Sequence, residues 1–223
     1  MKKNILFLMM ALSVVACTND SDKGDGENSY LCGDFVDAHV GNNLKIDYVE
    51  TDRNERFYVS APFTRSSIKK SDSFYRGVFY YRRKNNDEVV EPVSFMEVGV
   101  AGVIPIDTLT KKKPMKTDPL DLEAMWVGKN MKYLNAELSL KVGTSENKSA
   151  VHNIAVIGDS IVMHADSTKT LYLRLYHDQG GVPEYYSQRA FLSVPLQKLG
   201  VDSIHFEVNT YDGIVRKTLF VKQ

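Results

Sequence analysis

The chain has 223 residues, 43% of them hydrophobic and 25% charged, which suits one large or two small globular domains with ordinary cores. Its 28 basic residues are balanced by 28 acidic ones, so the basic excess of a nucleic-acid binder is absent. Two cysteines are too few for a disulfide framework, and the fold must rest on its core.

Met1 to Cys17 reads as an export signal. Lys2 and Lys3 form a basic start, and Ile5 to Leu12 an apolar core. That core is too short to cross ~30 Å of hydrocarbon as a helix, which needs ~20 residues, so it is read as cleaved. Val14-Val15-Ala16-Cys17 resembles the bacterial lipoprotein box. The resemblance implies loss of residues 1–16, acylation of Cys17 with chains such as palmitate, and anchoring in the outer membrane, on either its periplasmic or its cell-surface face. An acylated Cys17 could form no intrachain disulfide with Cys32, which reads as a small buried hydrophobe. Thr18 to Ser29 has no apolar residue, so residues 17–29 read as a tether.

From Leu31 onward the apolar period is mostly two, as in strands. Leu44-Lys45-Ile46-Asp47-Tyr48 alternates, and Phe74 to Tyr81 is nearly continuous and aromatic. The latter fits a strand buried on both sides or one closing a small barrel. Lys111-Lys112-Lys113-Pro114 through Asp118-Pro119 combines three charges with two prolines and is expected to be a linker. Leu120 to Met125 has room for a short helical turn. Beyond it, Ala136, Leu138, Leu140 and Val142 share one face. Leu171, Leu173 and Leu175 do the same, as do Ile204, Phe206 and Val208. Gly143-Thr144-Ser145, Gly180-Gly181 and Asp212-Gly213 separate such runs. The expectation is an all-β chain: an OB-like small barrel over residues 30–110, a linker over 111–119, and a β-sandwich over 120–223.

The second half carries a more specific pattern. Asp118-Pro119-Leu120 leads into Met125-Trp126-Val127-Gly128 and Tyr133-Leu134-Asn135. Leu173-Arg174-Leu175-Tyr176-His177-Asp178, Asp202-Ser203-Ile204 and Tyr211-Asp212-Gly213 follow. In this order they resemble the NigD-like lipoproteins, which join an N-terminal OB-like domain to a C-terminal β-sandwich. The resemblance implies an immunity-type role, from the family's association with a bacteriocin gene cluster. It supplies no catalytic residues.

Several constellations compete with bland readings. Ile154 to Ile161, with Gly158-Asp159-Ser160, resembles the nucleophile block of GDSL-type esterases, and Asp202-Ser203-Ile204-His205 offers a matching Asp and His. No Gly-x-Asn-Asp block exists to build the oxyanion site. The favoured reading is a strand, a turn at Gly158-Asp159, and a second strand. His39, His152, His164, His177 and His205 have no shared metal-ligand spacing. Phe74-Tyr75-Arg76 and Tyr80-Tyr81-Arg82-Arg83 interleave rings and cations like a single-strand nucleic-acid platform, but export and charge favour barrel packing. Asp107-Thr108-Leu109, Asp159-Ser160-Ile161 and Asp202-Ser203-Ile204 resemble a bacterial O-glycosylation acceptor.

Tyr172, Arg174 and Tyr176 lie on the polar face of one strand and form the candidate binding face. The sequence therefore points to a non-enzymatic envelope lipoprotein that binds a protein or a glycan. It calls for no cofactor, metal or nucleic acid.

Overall fold

The computed structural model describes residues 31–84, 87–144 and 150–221, and Leu31–Gln223 forms one compact unit. Cys17, the signal and the tether lie outside the described residues.

Alternating residues between Leu31 and Glu97 close a five-stranded barrel. Its strands are β1 (Leu31–Val40), β2 (Ile46–Thr51), β3 (Arg56–Phe63), β4 (Ser73–Arg82) and β5 (Val89–Glu97), closed in the order β1-β2-β3-β5-β4. Only β3 and β5 pair in parallel, and this connectivity is that of an OB-type barrel. Val36, Ala38 and Val40 point inward from β1, where they meet Val49, Phe57, Phe79, Tyr81 and Phe95. Phe79 and Tyr81 stack with ring centres 5.4 Å apart. Gly77 is required here, because a Cβ would sit 2.4 Å from the Phe95 ring. Half-buried Cys32 packs on this core. The outward residues of β4, Arg76 and Val78, are buried as well. The middle of the run, Arg76 to Phe79, is thus buried on both faces, while Phe74 at its start stays exposed.

The chain leaves the barrel at Val98–Gly99. β6 (Gly99–Val100) and β7 (Val103–Pro105) already pair in parallel with sandwich strands. A short helix, α1 (Ile106–Thr110), follows. The sandwich strands are β8 (Asp121–Val127), β9 (Tyr133–Val142), β10 (Asn153–Met163), β11 (Lys169–Asp178), β12 (Tyr186–Pro195), β13 (Ser203–Thr210) and β14 (Gly213–Phe220). One sheet runs β14-β13-β11-β10-β7 and the other β6-β12-β9-β8. Leu134, Ala136, Leu138 and Leu140 face Leu171, Leu173, Leu175, Ile204, Phe206 and Val208 between the sheets. Each fully buried leucine or phenylalanine there contributes roughly 1.5–3 kcal/mol.

Three local expectations change. Leu120 to Met125 enters β8 rather than a helical turn, since it pairs with β9. Gly158-Asp159 is not a turn: β10 continues through it, with Asp159 bulged between the pairs Gly158–Leu173 and Ser160–Tyr172. Lys116 to Asp118, expected in the linker, is tied to β11. His177 N–H donates to the Lys116 carbonyl at 3.0 Å, and Asp118 N–H donates to the His177 carbonyl at 3.0 Å.

Candidate functional site

Where barrel and sandwich meet, polar side chains are buried together. Arg76 of β4, with its side chain 3% exposed, donates to both carboxylate oxygens of Asp52, at 2.8 and 2.6 Å. Its other N–H groups reach Asn135 Oδ1 at 3.0 Å and Ser193 Oγ at 3.1 Å. Asn135 Nδ2 returns to Asp52 at 2.8 Å, and Ser193 Oγ donates to Asn135 Oδ1 at 2.7 Å. The guanidinium also lies 4.1 Å from the centre of the Tyr133 ring. Beside this cluster Phe35 sits edge-on to Trp126 and Phe191, at 5.1 and 5.3 Å. The β8–β9 hairpin closes against the same place, where Asn130 N–H donates to the Asp52 carbonyl at 2.9 Å. Gly128 permits this approach, since a Cβ would lie 3.0 Å from Asp52.

A cleft of about 250 Å³ opens above the cluster, lined by Asp37, Glu50, Phe74, Lys132, Tyr133 and Gln197 among others. It shares Glu50 and Lys132 with a neighbouring recess of about 220 Å³ that reaches Arg56 and Asn130. Lys132 Nζ lies 3.1 Å from Glu50 and 3.6 Å from Asp37. Burial opposes its charge, but those two carboxylates outweigh burial and hold its pKa above the ordinary lysine value. Hydrogen bonds from Arg56 and Lys132 hold Glu50 below the usual carboxylate range despite partial burial. Burial, with the charge of Asp37, pushes the Tyr133 phenol up to about 12.

Strand register sets four rings in a row beside this cleft. Phe74 of β4 pairs with His39 of β1, His39 with Tyr48 of β2, and Tyr48 with Tyr58 of β3. His39 and Tyr48 stack at 4.6 Å and 10°, and Phe74 meets His39 edge-on at 5.1 Å. Arg56 lies over the Tyr48 ring at 4.6 Å, and His39 Nδ1 is 2.7 Å from Asp47. Phe74 and Tyr58, at the ends of the row, are 54% and 48% exposed.

The candidate face expected on β11 is not assembled as a face. Tyr176 is 1% exposed, because α1 and the chain after it cover that end of the sheet. Leu109, Ile157 and Met115 pack around it, and the Lys113 ammonium lies 4.1 Å from its ring centre. Arg174 is held by both oxygens of the bulged Asp159, at 2.5 and 2.6 Å. Tyr172 remains half-buried on the outer face, 5.2 Å from the His205 ring.

The esterase constellation is not assembled either. Ser160 pairs with Tyr172, and Tyr172 with His205. A whole strand therefore separates serine from histidine, about 9.5 Å at sheet spacing. Asp202 instead accepts from Lys169 N–H at 2.8 Å. Among the described residues no group of three or more His, Cys, Asp or Glu side chains is arranged to hold a metal ion.

His152 and His177 do meet, Nδ1 to Nε2 at 2.9 Å. The Lys141 carbonyl lies 3.0 Å from His152 Nε2, and the Asp118 carbonyl 2.8 Å from His177 Nδ1. Carbonyls only accept, so each outer nitrogen faces an acceptor.

Comparison with known proteins fits this architecture. Residues 102–221 match the family model of the NigD-like C-terminal beta sandwich domain. A NigD-like immunity protein from Bacteroides caccae is 25% identical, with a TM-score of 0.66 over 83% of this chain and 91% of that one. A protein from Parabacteroides distasonis, provisionally named toxin-related, is 15% identical, with a TM-score of 0.63 over 85% and 92%. One from Bacteroides fragilis, provisionally named a lipoprotein, is 9% identical, with a TM-score of 0.64 over 86% and 98%. These last two likenesses bear on fold alone. No curated protein matches the chain. With more than half its length matched by the family's sandwich domain, and a whole-chain likeness to one of its solved members, the chain belongs to the NigD-like family.

Proposed function

We propose that the protein is a non-enzymatic lipoprotein of the cell envelope with a binding, immunity-type role, and that its ligand docks in the cleft between barrel and sandwich. The observation that carries this reading is the cleft itself. Asp37, Glu50, Lys132 and Tyr133 are fixed there by mutual bonds, which suits recognition by a preformed site. Ser160 and His205, the serine and histidine of the esterase-like motif, lie a strand apart on another face. Likeness to a protein named as NigD-like immunity protein supports the role. The lipoprotein box at Cys17 supports the anchor, and no described helix is long and apolar enough to cross a membrane.

A deletion strain grown beside related competing strains tests the role. The deletion is expected to be killed by at least one competitor that the wild type survives, with survival restored by the intact gene. Equal survival beside every competitor would contradict an immunity-type role. Metabolic labelling tests the anchor: the wild type should incorporate fatty acid and Cys17→Ala should not. Equal labelling of both would overturn the lipid assignment.

A further inference from the structure

We propose that the row Phe74, His39, Tyr48, Tyr58 and the adjoining cleft form a subsite for one uncharged sugar ring of a glycan. The proposal rests on the reading of the cleft as the ligand site and names the ligand class it takes.

Charge balance carries the first step. Around the cleft Asp37 and Glu50 are matched by Lys132 and Arg56 at 2.5–3.6 Å. An anionic ligand would meet the two carboxylates, and a cationic one would meet Lys132 and Arg56. A neutral polyhydroxyl ligand meets neither penalty. Each carboxylate has about four lone-pair sites and each ammonium three N–H donors. Glu50 and Lys132, each paired twice, therefore still keep acceptors and a donor for hydroxyls, and hydrogen bonds to charged groups are the stronger kind.

Ring chemistry carries the second step. Aromatic faces are electronegative and attract the polarised C–H face of a sugar. Phe74 is 54% exposed and is both an end of the row and a wall of the cleft. A sugar ring resting on Phe74 can thus turn its hydroxyls toward Glu50, Lys132 and Gln197. The rings beneath keep Phe74 in place, through the His39 contact at 5.1 Å and the His39–Asp47 bond at 2.7 Å.

Size and shape carry the third. The cleft, about 250 Å³, lies just below the ~300–1,000 Å³ range that holds drug-sized ligands and admits a single ring. The barrel is closed, so it offers no free edge to a peptide strand. Strands β2 and β3 are also the face on which OB-type barrels bind oligosaccharides or oligonucleotides, an analogy of fold only. The carboxylates at this face disfavour the second.

The test is a glycan array carrying neutral, sialylated and sulfated oligosaccharides, followed by calorimetric titration of the best neutral ligand into wild type, Phe74→Ala and Tyr172→Ala. Neutral glycans should be retained over charged ones. Phe74→Ala should weaken the best of them at least tenfold, while Tyr172→Ala changes affinity less than twofold. Unchanged thermal unfolding of Phe74→Ala confirms its fold. Absence of any neutral glycan, preference for anionic ones, or an affinity untouched by Phe74→Ala would overturn the proposal. The same variant in the competition assay separates the two readings. Lost protection without sugar binding leaves the cleft as the ligand site for another class of ligand. Intact protection and no sugar binding would sink both.

Discussion

Arg76 shows how one residue can join two halves of a chain. Its guanidinium is satisfied by Asp52 of the barrel and by Asn135 and Ser193 of the sandwich. Such a buried pair need not stabilise more than apolar packing would, but removing one partner strands the other without water. Arg76→Met is therefore expected to cost about 3–5 kcal/mol, read as a lowered denaturant midpoint. A loss below about 1 kcal/mol, the value of a surface pair, would show that Asp52 finds water instead. The histidine pair gives a pH prediction. Burial and the neighbouring His177 hold His152 below its ordinary value of 6.5. The folded state thus takes up its proton less readily than the unfolded chain. This contribution to stability is present above about pH 6.5 and is lost as pH falls through the lowered folded value. Glu184 favours the charge of His152 and limits the effect. Thermal midpoints at pH 7 and 5 should fall in the wild type, and by less in His152→Gln. Equal falls in both would assign the acid loss to other groups.

At the scale of elements, the leucine strands were legible because alternation is local. Leu134 to Leu140 and Leu171 to Leu175 needed only a two-residue period to declare their buried faces. The motif residues Trp126, Gly128, Tyr133 and Asn135 were legible as a pattern, yet their purpose was not. Each touches the barrel: Trp126 meets Phe35, Gly128 leaves room for Asp52, Tyr133 lies under Arg76, and Asn135 bonds Asp52. The ring row was invisible because it depends on the register of four strands separated in sequence. Tyr176 failed as a surface residue for a similar reason. Its strand alternates correctly, but α1 and the chain after it, non-local to that strand, cover its end. Gly77 is a test of the barrel's packing. Gly77→Ala drives a Cβ to 2.4 Å from the Phe95 ring and 2.7 Å from the Met96 carbonyl, and a loss of about 1–3 kcal/mol is expected from overpacking. A neutral result in urea unfolding would mean that Phe95 can move aside freely.

At the scale of the molecule, barrel and sandwich are coupled by the Arg76 cluster, the Phe35 wedge and two short strands, β6 and β7, that enter the sandwich before the lysine run. Trypsin is expected to cut at exposed Lys111, Lys112 or Lys113. The nicked pieces should elute together on gel filtration, since the N-terminal piece keeps β6 and β7 in the sandwich sheets. Two separately eluting folded fragments would instead support independent domains hinged over residues 111–119.

The central claim is that ligand recognition belongs to the junction cleft and not to the outer face of β11. Survival of the deletion strain beside a killing competitor tests it most directly, with complementation by wild type, Lys132→Glu or Tyr172→Ala. Lys132→Glu replaces the cation facing Asp37 and Glu50 with a third carboxylate and should abolish protection at unchanged protein level, while Tyr172→Ala protects like wild type. Protection kept by Lys132→Glu and lost in Tyr172→Ala would contradict the account and return the site to the outer face.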